Sequence, residues 1–140
     1  MNRFTKVLLG FVVLFHGLVF VVEAFLWMRP AVHEFVLSRL ATSTTLDVHV
    51  QALVLQSFFV NQGFYNLFLA IAGAAGLRLV GRGNVRVGFT LIVYMCLSAV
   101  GAGIVLALST HAYVGALLQA VPAAAALASL NSVSNIRDRR

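Results

Sequence analysis

Apolar residues fill positions 7–28 almost without a break, and only His16 and Glu23 interrupt them. The hydrocarbon core of a bilayer, about 30 Å thick, is crossed by a helix of about 20 such residues. The stretch therefore predicts a membrane-spanning helix. Three further runs qualify, at 52–77, 87–108 and 112–130, although the second carries Gln56, Asn61, Gln62 and Asn66. Between the first two lies an outer loop, 29–50, too polar to span. It holds Arg29, Pro30, His33, Glu34, Arg39, a Thr/Ser-rich stretch at 42–45 and Asp47. Pro30 marks the end of the first helix. Phe35, Val36 and Leu40 fit either a short interfacial helix or an irregular loop. The expectation is all-α: a single integral membrane domain built as a four-helix bundle.

Composition agrees. Of 140 residues 61% are hydrophobic and 10% charged, with mean hydropathy +0.96. A soluble domain of this length has too few charges to cover so much apolar surface, so lipid is the expected solvent. Arg3 and Lys6 before an apolar run imitate a secretory signal, but the run exceeds the usual signal core of about 7–15 residues and contains Glu23. It reads as a retained first span. Cys96 is the single cysteine, which excludes an intrachain disulfide.

The charge is lopsided. Arg3, Lys6, Arg78, Arg82, Arg86, Arg137, Arg139 and Arg140 are eight of the ten basic residues, and all fall on one side of the four-span arrangement. Only Arg29 and Arg39 fall on the other. Basic loops stay in the cytoplasm, so both termini are expected there. The net charge of +6 has no stripe of interleaved aromatics, which argues against nucleic acid as a partner.

Glu23 and His16 carry the chemical interest. An ionisable residue at membrane depth costs at least about 2.5–3.5 kcal/mol, so it usually faces a protein interior or a wet cavity. The two are seven residues apart, close to two helical turns, and share a face. By helical rise from the outer boundary, Glu23 lies about 8 Å deep, Gln119 about 10 Å, Asn61 and Gln62 about 14 Å, Ser98 about 15 Å and His16 about 18 Å. Every span thus offers a polar group to the outer half of the membrane. A neutral Glu23 can give a proton and a neutral His16 can take one. These two are the candidate catalytic pair, with Asn61, Gln62, Tyr65, Asn66, Gln119 and Trp27 as candidate ligand contacts.

Each has a plainer use. Gln62, Asn66 and Gln119 could serve as interhelical glue, Ser98 and Thr90 could bond their own helix, Tyr94 could simply pack, and Trp27 could be an interfacial anchor. Ala72 with Gly76, and Ala99 and Gly101 with Gly103, offer close helix packing. There is no phosphate-cradling Gly-rich loop, no nucleophile elbow and no HExxH-type spacing around His33, His49 and His111. Neither a metal nor a cofactor is expected.

Four blocks carry a family resemblance: NQGFYNLFLA at 61–70, EAFLW at 23–27 preceded by His16, VGAGIV at 100–105 and QAVPA at 119–123. On these the chain resembles the small bacterial membrane proteins of domain of unknown function 1304. The resemblance implies a four-helix integral membrane fold in the bacterial inner membrane and supplies no activity. The family usually has a short basic loop after the tryptophan, whereas here the segment is longer and rich in serine and threonine, which implies a modified outer cap. Two functions fit the residues. One is a buried site for a lipophilic small molecule with acid–base chemistry at Glu23. The other is a proton-coupled exporter acting as a homodimer, since four short spans with a glutamate in the first resemble the small multidrug resistance exporters. A structural accessory subunit needs no site at all.

Overall fold

The computed structural model describes residues 1–40 and 44–137, the side chains of 131–137 excepted. Thr42 and Ser43 of the outer loop, Arg139, Arg140 and the Arg137 side chain lie outside that description. Five helices follow in order: α1 Arg3–Phe25, α2 Pro30–Leu37, α3 Val48–Gly81, α4 Val85–Ser109 and α5 Tyr113–Arg137. No strand occurs among the described residues. Four of the helices, α1, α3, α4 and α5, are long and apolar enough to cross a membrane.

Local chemistry explains the boundaries. Asn2 caps α1, its Oδ1 accepting from the Thr5 backbone N–H at 2.8 Å, which satisfies one orphan donor of the first turn. The Leu26 N–H closes the helix by bonding back to the Val21 and Val22 carbonyls. Pro30 does not end α1, which stops at Phe25; it opens α2, where its missing N–H and fixed φ suit the first position. Asp47 caps α3 by accepting from the His49 and Val50 N–H groups. With 34 residues, α3 is about 51 Å long, well beyond the hydrocarbon thickness.

The long helices form a ring in which each neighbours the next, α1 with α3, α3 with α4, α4 with α5 and α5 with α1. The short α3–α4 and α4–α5 connections make those pairs antiparallel. The Thr5 and Ser129 hydroxyls lie 2.9 Å apart, so the start of α1 and the last turns of α5 share one end. That basal end also holds the α3–α4 turn with Arg78, Arg82 and Arg86. The opposite, cap end is roofed by α2.

Two apolar clusters fill the interior. The basal cluster joins Leu9 and Val12 of α1 to Ile92, Met95, Cys96 and Ala99 of α4 and Ala123, Ala126 and Leu130 of α5. The cap cluster is built from Trp27, Ala52 and Phe59, with Val36 and Leu37 of α2 packed on it. Of the glycines expected to pack, Gly103 is buried, and a Cβ there would meet Ala120 Cβ at 2.7 Å and Ala116 O at 2.9 Å. Gly101 is a correction: it is exposed and its missing Cβ faces open space, because it lies two residues and about 200° around the helix from Gly103.

Candidate functional site

Between the two clusters α1 presents His16 and Glu23, one and three turns beyond Val12. The interior stripe of α1 is Thr5, Leu9, Val12 and His16, all buried, and a further seven-residue step reaches the half-buried Glu23. On α3 the buried stripe is Phe59, Gly63, Asn66, Ala70 and Gly73, alternating four- and three-residue steps. The stripes meet at Gly63, where a Cβ would touch Ala24 N at 3.1 Å and Ala24 Cβ and Glu23 Cβ at 3.2 Å. A side chain there would hold the helices apart.

That close approach sets the polar geometry. Asn66 Nδ2 donates to Glu23 Oε2 at 3.0 Å and, with its second hydrogen, to the Gln62 carbonyl at 3.1 Å. The bond within its own helix fixes the amide rotamer and aims the other N–H across the seam. Asn66 is only 8% exposed, so almost none of this amide faces lipid.

His16 is fully buried. Its Nδ1 lies 2.8 Å from the Val12 carbonyl, which can only accept, so Nδ1 carries the proton and Nε2 is the basic nitrogen. Nε2 is buried with no hydrogen-bond partner among the described residues. His16 and Glu23 are separated by about 10 Å of helical rise and do not bond to each other.

The remaining candidates are dispersed. Asn61 and Gln62 are exposed, off the stripe that faces α1, so it is Asn66 and not this pair that reaches Glu23. Tyr65 is 55% exposed and packs edge-on to Phe68. Gln119 is half-buried on α5. Trp27 is buried to 2% exposure, stacks on Phe59 with ring centroids 3.6 Å apart, and donates its Nε1–H to the Ala52 carbonyl at 2.8 Å. All its chemistry is used in holding the cap together.

Two participants escape a reading by residue type. Gly63 is where α3 closes on α1, and its signal is the 63–66–70–73 spacing of small and polar residues within a long apolar run. His33 is buried beneath Trp27, its Nδ1–H donating to the Trp27 carbonyl at 3.2 Å. His33 and His49 rings lie 5.9 Å apart, but among the described residues no three His, Cys, Asp or Glu side chains gather as a metal site would require.

Along the same α1–α3 seam, basal to Glu23, runs an open apolar cleft of about 450 Å³ lined by Val13, Leu14, Gly17, Leu18, Val21, Ala70, Ile71 and Ala74. Residues 10–131 match a family model described as Protein of unknown function (DUF1304). No curated protein and no solved structure matches the chain.

Proposed function

The chain belongs to that family, and we propose that this member binds the polar group of a lipophilic small molecule at Glu23 and Asn66 within the bacterial inner membrane. The chain termini face the cytoplasm, and Glu23 exchanges a proton with the bound molecule. The observation that carries this reading is the Asn66–Glu23 hydrogen bond, a carboxylic acid held by an amide inside an apolar bundle. Only one carboxyl oxygen takes that bond, leaving Oε1 to address a ligand. The apolar cleft on the same two helices opens on the other side of α1, since Val21 lies two residues and about 200° from Glu23, so it does not adjoin the carboxyl.

A proton-coupled exporter, working as a homodimer, would use the same glutamate but must open it to both faces in turn. The basal cluster of Leu9, Val12, Ile92, Met95 and Cys96 is fully packed below His16. That packing favours a site open toward the cap half or toward lipid. Acid–base catalysis is the fuller version of the binding reading, with Glu23 as acid and His16 Nε2 as the second proton acceptor.

The test is native mass spectrometry of protein extracted gently from its own membranes. Wild type should carry a lipophilic molecule, and Glu23→Gln, which keeps volume but not the exchangeable proton, should lose it while melting at the wild-type temperature. Retention of the same molecule by Glu23→Gln would leave Glu23 a packing residue.

A further inference from the structure

The basal end holds a second cleft, far from Glu23. It has a volume of about 450 Å³ and is lined by Met1, Lys6, Leu77, Val80 and Gly81. Met1, Leu77 and Val80 also pack against the basal cluster, so the floor of the cleft is continuous with the apolar core. Lys6 is exposed at its wall and forms no ion pair with any described residue.

Its depth is defined by the sequence on both walls. On α1 the apolar run begins directly after Lys6, and on α3 it gives way to Arg78 and Arg82 around Gly81. Lys6 lies about 25 Å of helical rise from Glu23, close to the full hydrocarbon thickness. The cleft therefore straddles the level where acyl chains end and headgroups begin.

Among the described residues the charge around it has one sign. Arg3, Lys6, Arg78, Arg82 and Arg86 all belong to this end, whereas Glu23, Glu34 and Asp47, the acidic residues described, belong to the cap half. A cation at headgroup level above an apolar floor matches one kind of molecule on both counts. We propose that this cleft is a binding seat for an anionic phospholipid, its phosphate paired with Lys6 and the upper part of one acyl chain lying on Leu77 and Val80. Cations near a membrane surface attract anionic lipid generally. The cleft adds a fixed place, because a lipid lodged against Gly81 contacts both charge and floor.

Gly81 makes the test clean. A Cβ added there meets nothing within 4 Å, and its φ is not in the left-handed region. Gly81→Leu should therefore fill the cleft without disturbing the fold or removing any charge. The measurement is native mass spectrometry of protein released from nanodiscs of equal phosphatidylglycerol and phosphatidylcholine. Wild type should retain phosphatidylglycerol preferentially. Lys6→Gln should lower that preference about fivefold, the worth of one cation near the surface, Gly81→Leu should lower it comparably, and Lys6→Arg should restore it. Arg39→Gln at the cap end should leave it unchanged. A wild-type preference in Gly81→Leu, or an equal fall in Arg39→Gln, would show charge acting without a seat and overturn the proposal. Displacement of the lipid by excess inorganic phosphate would also overturn it, by showing a site for free phosphate.

Discussion

Asn66 reaches Glu23 across the α1–α3 seam at 3.0 Å while its other amide hydrogen is tied to the Gln62 carbonyl one turn back. The amide is thus held on its own helix and cannot swing away when the carboxyl moves. This arrangement orients the acid, and it also joins the basal and cap clusters, between which the two residues lie.

An interhelical hydrogen bond of this kind in a membrane is worth about 0.6–2 kcal/mol. Asn66→Leu should lower the stability of the purified protein by that amount, read as a fall in the thermal midpoint in detergent. A loss several times larger would mean that Asn66 supports much more than one bond.

Gly63 should tolerate little. Its Cβ position already meets Ala24 and Glu23 at 3.1–3.2 Å, so Gly63→Leu must part α1 from α3 at a cost of about 1–3 kcal/mol, typical of overpacking. The same variant should lose any ligand held at Glu23, because Asn66 is drawn out of reach. Thermal unfolding and native mass spectrometry read the two effects separately.

The two neighbouring glycines of α4 should differ sharply. Gly103→Leu drives a side chain into Ala116 and Ala120 of α5, whereas Gly101→Leu points into open space. The first should abolish or severely reduce folded protein, and the second should leave the thermal midpoint within the small range usual for surface changes. Similar midpoints for both would contradict the α4–α5 packing.

The proposed orientation rests on the basic residues at the basal end. In intact cells an impermeant thiol reagent should label Glu34→Cys, an exposed position of α2, and leave Arg3→Cys and Arg82→Cys untouched. Arg3 is the better reporter near the N-terminus, because Asn2 caps α1. Labelling of Arg3→Cys from outside would invert the topology.

Much of the fold was legible because lipid imposes one rule, a long apolar run, and all four runs became helices. The outer segment was less so. Pro30 alone cannot tell whether it ends one helix or begins another, and Asp47 starts α3 before the apolar run starts. Glu23 stood out by its cost at membrane depth. Its partner did not, because the choice among Asn61, Gln62 and Asn66 depends on which face of α3 meets α1. Only the approach at Gly63 decides it. The resemblance at 61–70 covers Asn61, Gln62 and Asn66 alike, so it gave no way to rank the amides within it.

The proton proposed for Glu23 is open to direct chemical reading. Dicyclohexylcarbodiimide is lipophilic and adds to carboxyl groups that carry a proton, so it reports both protonation and access from the membrane. Treatment of the reconstituted protein, followed by peptide mass analysis, should place one adduct on Glu23 of wild type and none on that position in Glu23→Gln. Asn66→Leu, which frees the second carboxyl oxygen, should react at least as fast. A folded wild-type protein whose Glu23 stays unmodified at saturating reagent would contradict an exchangeable, ligand-accessible acid at this site.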